Sequence, residues 1–269
     1  MVKMTQYEEK IQALEDYLRG LSHERIGVAV SGGVDSRLLA FTLRRLQIPF
    51  TAVHATGPHL SPEEAAFARR WLAVSGIRHM AIRFDPLQVS AASANGKDRC
   101  YHCKYALFRG FRDLYGPDAV ILEGSNATDG TEYRPGLRAL EELDIRSPYR
   151  IAGMTKDDIR RLAAESGLDR PDQPSRPCLM TRFAYGLAPD AETLARLGRA
   201  EDALEQTGLT GYRLRIPEQG KAVLQIPAQQ KSLAQTALDT VKSLLAMEGF
   251  KDVEIVFAES VSGYYDRLD

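Results

Sequence analysis

Two groups of residues in this chain have types and spacing that can do chemistry. The first is Val30-Ser31-Gly32-Gly33-Val34-Asp35-Ser36, a two-glycine loop that follows a short apolar run and leads into a helix-like segment. A loop entering a helix in this way aims several backbone N–H groups and the positive helix end at one point, which makes an anion site suited to phosphate. Glycine permits the close approach that side chains would block. The second group is three cysteines: Cys100 and Cys103 in Cys100-Tyr101-His102-Cys103, and Cys178 in a proline-rich stretch. A C-x-x-C pair alone suits a redox couple or half of a zinc site. Three thiolates can also hold a [4Fe-4S] cluster with one iron left open for sulfide. Zinc is the rival, with His102 or a more distant histidine as fourth ligand.

The elements that must position these residues alternate between two periods. The run Ile26-Gly27-Val28-Ala29-Val30 is apolar and largely β-branched, as a strand buried on both faces should be. Further strands are predicted at about 50–55, 78–84 and 119–122, with helices at about 6–18, 36–46, from Ser61-Pro62-Glu63-Glu64 onward, and 100–115. Thr155-Lys156-Asp157-Asp158 opens another helix with a capping-box pattern. Strands alternating with helices predict an α/β fold with a doubly wound parallel sheet. The stretch 169–190 carries four prolines and cannot continue a helix or a central strand, which places a domain junction there. Beyond it a helix (191–206), two short strands (212–216 and 222–226), a helix (229–247) and a strand (253–257) form a second, smaller α/β unit with mixed pairing. The expected division is a larger α/β domain over 1–180 and a small α/β domain over 181–269.

Composition narrows the function. The 269 residues carry 35 basic and 36 acidic side chains, a formal charge of -1, so nothing in the totals suggests a nucleic-acid or anionic-membrane surface. The amino terminus, Met1 to Lys10, lacks the apolar core of a signal peptide and no later run is apolar enough to span a bilayer, so a cytoplasmic location is expected. Three cysteines are too few, and odd in number, for a disulfide framework.

No G-x-x-x-x-G-K-[ST] is present and no G-x-G-x-x-G follows a strand. The S-G-G-x-D-S pattern resembles the PP-loop of ATP pyrophosphatases, which adenylate a substrate and release pyrophosphate. That resemblance implies that Ser31, Gly32, Gly33 and Ser36 hold the phosphates and that Asp35 helps place Mg2+. Ala29, Ala55 and Gly124 complete the expected ATP site. Charge building on the phosphates calls for cations, of which Lys104 comes first and Arg134 and Arg182 follow. Asn126 and Asp129, in the turn after the strand at 119–122, lie where the carboxyl ends of a parallel sheet put ligands.

Nearly the whole chain resembles the LarE family of PP-loop sulfur transferases, which make the thiocarboxylates of the nickel-pincer nucleotide cofactor. The resemblance rests on the PP-loop, on E-Y-R-P-G-L-R from Glu132 to Arg138, on C-L-M-T-R-F-A-Y-G from Cys178 to Gly186, and on the arginine pair of Tyr212-Arg213-Leu214-Arg215. It implies ATP-driven activation of a carboxylate of pyridinium-3,5-dicarboxylate mononucleotide, then delivery of sulfur from sulfide or another donor. Cys178 occupies the family's sulfur-bearing position. Cys100 and Cys103 point to the three-cysteine branch, whose metal is a [4Fe-4S] cluster, and a homo-oligomer, in the form of a hexamer, is the implied assembly. Arg213 and Arg215 alternate with Leu214, so they share one strand face and suit a clamp on the substrate's phosphate, as Arg134 suits the substrate too. Two positions depart from the pattern. Arg37 follows Ser36 where many PP-loop proteins carry a small hydroxyl residue, and Gln225 stands where the one-cysteine branch is expected to be acidic.

Three other readings share these residues. A PP-loop tRNA thiolase also combines adenylation with a three-cysteine cluster, but should carry a basic RNA surface. An ammonia-using ligase of the same fold would leave the cysteines structural. A nucleotide-binding scaffold would bind ATP without turnover.

Overall fold

The structure, a computed structural model, describes residues 4–131 and 135–267. Contacts divide the chain into two compact units. One takes in residues up to Ala55, Ala66–Phe84 and Cys100–Gln173, and the other Thr56–Ala65, Asp85–Arg99 and the chain from Pro174 onward.

The first unit is built on strands β1 (Ile26–Ala29), β2 (Thr51–Thr56), β3 (His79–Arg83), β4 (Val120–Leu122) and β5 (Ile145–Arg146), in the order β3-β2-β1-β4-β5. The registered pairings β1 with β2, β1 with β4 and β4 with β5 are all parallel. The chain therefore winds outward from β1 in both directions, the doubly wound order expected from the alternating periods. Its strands are apolar on both faces for a visible reason. Val28 and Leu122 pack into a core with Leu14, Leu18, Leu38, Leu39, Leu43 and Tyr149. Their neighbours Ala29 and Ile121 point the other way, toward Phe108, Phe111, Tyr115 and Leu140. Strand β5 and the helix Gly136–Glu142 were not anticipated; a two-residue strand gives no periodicity to find.

Local chemistry starts the helices where the residues suggested. Thr5 and Glu8 close a capping box at Gln6–Gly20, and Thr155 and Asp158 close another at Lys156–Glu165. Helix Val34–Arg45 begins two residues earlier than its apolar pattern predicts, with Gly33 as its cap, so Asp35 and Ser36 belong to the first turn.

The second unit has β6 (Arg213–Glu218) antiparallel to β7 (Lys221–Pro227), and β7 parallel to β8 (Val253–Ala258), the mixed pairing expected. Its core gathers Leu194, Leu197, Leu204, Leu214, Leu224, Ile226, Val241 and Leu245. The helix expected over 229–247 is two, Lys231–Thr236 and Leu238–Met247, meeting at Ala237. The Thr236 hydroxyl donates back to the Ser232 carbonyl at 3.1 Å, a contact that bends helices. Residues 174–190 hold no helix beyond the short 3-10 turn Leu179–Arg182, in keeping with their prolines. No helix among the described residues is long and apolar enough to cross a membrane.

Candidate functional site

In the first unit the glycine loop leaves β1 and turns into helix Val34–Arg45. Gly32 sits at φ +93, and a Cβ there would lie 2.8 Å from the Ala68 Cβ, so only glycine fits this turn. Gly124, after β4, is required for a different reason: a Cβ there would come within 3.0 Å of the Ser36 nitrogen and 3.2 Å of the Asp35 carbonyl carbon. Two turns thus meet backbone against backbone. No capping side chain claims the first-turn N–H groups of helix Val34–Arg45, which leaves them suited to an anion. Ser31 Oγ and Ser36 Oγ stand 3.2 Å apart, and Ser36 Oγ donates to the Gly33 carbonyl at 3.0 Å. Ala29 and Ala55, both half-buried, lie near the carboxyl ends of the adjacent β1 and β2. The residues present fit the triphosphate of a nucleotide.

Asp35 is the centre of a polar network. Its two carboxylate oxygens accept from Lys156 Nζ at 2.6 and 2.8 Å, and Oδ2 also accepts from Asn126 Nδ2 at 3.2 Å. Tyr149, fully buried, donates its hydroxyl to the Asp35 carbonyl at 3.2 Å; burial first, then the Asp35 charge, push that phenol well above its ordinary pKa. Asp129 accepts from the Asn126 N–H at 3.0 Å and Asn126 Oδ1 from the Thr128 N–H at 3.0 Å. The Lys156 N–H in turn reaches Thr128 Oγ1 at 3.2 Å. The turn after β4 is shaped from below by buried Glu123, which accepts from the Ser125 N–H and hydroxyl at 2.9 and 2.8 Å and from the Ser147 hydroxyl. The structure therefore brings Asp35, Asn126 and Asp129 together with the loop.

Lys156 was not singled out from the sequence. It is the first residue of helix Lys156–Glu165, and the Thr155 capping box beside it marks only a helix start. Lys104 lies one turn into helix Arg99–Tyr115, its stem against Gly136, where an added Cβ would meet its Cδ at 2.8 Å. Arg134 falls outside the described residues. Arg37 is fully buried, and its guanidinium donates to the carbonyls of Gly32, Asp169 and Arg170 and to Gln173 Oε1. It also lies over the Phe67 ring at 5.0 Å, so it ties the loop to residues 169–173 instead of facing a ligand. His54, equally buried, donates from Nδ1 to the Val30 carbonyl at 2.8 Å and is kept neutral by burial, which lowers its pKa.

In the second unit Arg182 and Glu201 form a fork, Nε to Oε1 at 2.7 Å and Nη2 to Oε2 at 2.8 Å, with both side chains almost wholly buried. Burial alone would raise Glu201; Arg182 and the Leu214 N–H more than reverse it, and its pKa ends below the usual carboxylate value. Arg213 and Arg215 share a face of β6 as the alternation predicts, but that face is buried. Arg213 donates to the Tyr212 and Ser175 carbonyls, both at 2.6 Å. Arg215 donates to the Thr181 carbonyl at 3.0 Å and to Gln225 Oε1 at 3.2 and 3.3 Å. Burial first, then repulsion from Arg182, push both guanidinium groups down to about 10.

None of the three cysteines forms a disulfide, and all are half-buried. Cys100 and Cys103 are one helical turn apart, on one side of helix Arg99–Tyr115, and supply two soft donors; Cys178 belongs to the other unit, where it precedes the turn Leu179–Arg182. Among the described residues no three or more of His, Cys, Asp and Glu are gathered as a metal site. The Cys100 and Cys103 pair has the right donor chemistry for iron.

Comparison with known proteins gives this geometry a family. Residues 13–98, which contain the glycine loop, match the asparagine synthase family. An uncharacterized protein of Synechocystis sp. is 34% identical over 230 residues, 83% of each chain. An uncharacterized protein of Methanocaldococcus jannaschii is 28% identical over 86% of this chain and 88% of its own. The pyridinium-3,5-bisthiocarboxylic acid mononucleotide synthase of Lactiplantibacillus plantarum is 30% identical over 197 residues, 72% of this chain and 71% of its own. With a PP-loop on a doubly wound sheet and a likeness to that synthase running across both units, the chain belongs to the LarE family of ATP-dependent PP-loop sulfur transferases.

Proposed function

We propose that this enzyme activates a carboxylate of pyridinium-3,5-dicarboxylate mononucleotide with ATP and converts it to the thiocarboxylate. The observation that carries the reading is the Asp35 network: a half-buried carboxylate in the first turn after a glycine loop, held by Lys156 and Asn126. A carboxylate oxygen of the substrate attacks the α-phosphorus of ATP, the bond to the pyrophosphate oxygen breaks, and an acyl adenylate forms. A sulfur nucleophile then adds to the acyl carbon and the C–O bond to AMP breaks, so the original oxygen leaves with AMP. Ser31, Gly32, Gly33 and Ser36 hold the phosphates by backbone N–H groups and hydroxyls, with Ala29, Ala55 and Gly124 around the nucleotide. Asp35, now paired with Lys156, would help hold Mg2+, which would neutralise charge on the phosphates; Lys156 and Lys104 supply further positive charge there. Arg182, Arg213 and Arg215 give the second unit the charge that suits the phosphate of the mononucleotide, and Arg134 is a further candidate.

Cys178, in the family's sulfur-bearing position, is the third thiolate of the proposal. With Cys100 and Cys103 it would hold a [4Fe-4S] cluster, which supplies an open iron for sulfide. The spacing of the C-x-x-C pair supports that part, and iron and acid-labile sulfide in anaerobically purified protein test it. About four irons per chain, lost in Cys100→Ala, is expected; stoichiometric zinc overturns it. The activation is tested by incubating the protein with Mg·ATP and the dicarboxylate. Carboxylate-dependent release of pyrophosphate and a thiocarboxylate by mass spectrometry are expected, and no such release overturns the reading.

A further inference from the structure

Four arginines of the second unit are at most 7% exposed: Arg99 7%, Arg182 1%, Arg213 6% and Arg215 5%. Among the described residues the carboxylate buried to the same degree in that unit is Glu201, at 4%. Gln225 accepts from Arg215 but brings no charge. Other acids of the unit are less deeply buried or engaged elsewhere: Glu64 is raised by burial, Asp202 is paired with Arg176, and Asp266 is exposed and accepts from the Tyr185 hydroxyl. Buried charge without a counter-charge is costly, so this cluster calls for an anion.

The hydrogen-bond donors say where. Arg182 directs its fork at Glu201, while Arg213 and Arg215 direct theirs at protein carbonyls and Gln225. Arg99 does not: among the described residues its Nε and Nη1, both buried, have no hydrogen-bond partner. Its guanidinium lies over the Tyr185 ring, 4.6 Å from the centroid. Tyr185 stands edge-on to Tyr265 at 6.5 Å, and Arg215 lies 5.8 Å from the Tyr265 centroid, so Arg99 and Arg215 flank one aromatic pair. Stacking orients Arg99 without using any of its N–H groups. Buried N–H donors left unmet in a native protein are rare and ask for an explanation.

We propose that Arg99 binds the phosphate monoester of the substrate directly, and that Arg213 and Arg215 provide the surrounding positive field instead of its hydrogen bonds. A dianion offsets most of the excess charge of four arginines against one carboxylate. The inference rests on the proposed reading for the identity of the ligand, and extends it to a residue that carries no recognised nucleotide motif.

The test uses the full chain with the glycine loop saturated by a non-hydrolysable ATP analogue, so that added phosphate does not report on that loop. Inorganic phosphate is titrated by calorimetry and by its effect on the thermal midpoint. Arg99→Gln should weaken phosphate binding by about tenfold or more, and Arg99→Lys, which keeps the charge but not the planar fork, should restore part of it. Phosphate should raise the midpoint of the parent protein and leave that of Arg99→Gln unmoved. Without phosphate, Arg99→Gln should be at least as stable as the parent, since a buried unpaired charge has gone. Phosphate binding unchanged in Arg99→Gln, or no binding by the parent, overturns the inference, as does a loss of stability with affinity intact. Pyrophosphate release from ATP and the dicarboxylate is read separately. Its absence beside Arg99-dependent phosphate binding overturns the proposed reaction and supports this site; its presence beside Arg99-independent binding does the reverse.

Discussion

The polar clusters of the two units balance their charges in different ways. In the first, Asp35 and Lys156 pair at 2.6 Å with side chains 18% and 33% exposed. In the second, Arg182 and Glu201 pair at 2.7 Å with side chains 1% and 6% exposed, among further buried arginines. A part-exposed pair is weak and easily exchanged, because water solvates either partner once they separate. That suits the proposed reading, in which the phosphates of ATP draw the lysine away. A buried pair is held by the penalty for breaking it, and its field is set before any ligand arrives. One cluster is thus built to rearrange and the other to stay.

Substitutions should separate the two along this line. The largest effect expected is on catalysis in the first unit: Asp35→Ala should lower pyrophosphate release by about 10³-fold, with circular dichroism and thermal midpoint little changed. A large drop in midpoint would show that Asp35 is structural and break the contrast. Next comes stability in the second unit, where Arg182→Met, by leaving Glu201 buried alone, should cost about 3–5 kcal/mol in denaturant unfolding. Because the folded pKa of Glu201 is depressed, its contribution is present above its unfolded value and lost as pH falls through the lower folded one. The acid limb of the stability curve should therefore be flatter in Arg182→Met than in the parent. Lys156→Met should slow turnover by about 10²-fold while leaving unfolding nearly unchanged. The smallest effect is Thr155→Ala, which removes the cap beside Lys156 and should cost about 1 kcal/mol, visible in the thermal midpoint.

The glycine loop was legible because its chemistry is local. Gly32 must be glycine for a backbone angle, and Asp35 and Ser36 follow it within one helical turn, so spacing alone predicts what they share. The parallel sheet was legible for a similar reason: runs buried on both faces lose the alternation of a half-exposed strand. Lys156 was hidden, being 121 residues from Asp35, and nothing in Thr155-Lys156-Asp157-Asp158 distinguishes a site lysine from an ordinary helix opener. The paired arginines of β6 were visible as a shared face, but their burial was not, since charge alternating with leucine usually marks a solvated strand.

The amino-acid sequence by itself determined the loop, the caps, the alternating periods and the two thiols one turn apart, because each depends on residues within a few positions of one another. The tertiary structure decided which lysine meets Asp35, that Arg37 is tied to backbone carbonyls, and that Arg99 is buried with donors unmet. Those outcomes depend on which distant segments exclude water from a charged group, and solvation of a side chain is a property of its three-dimensional neighbours, which no short stretch of sequence contains.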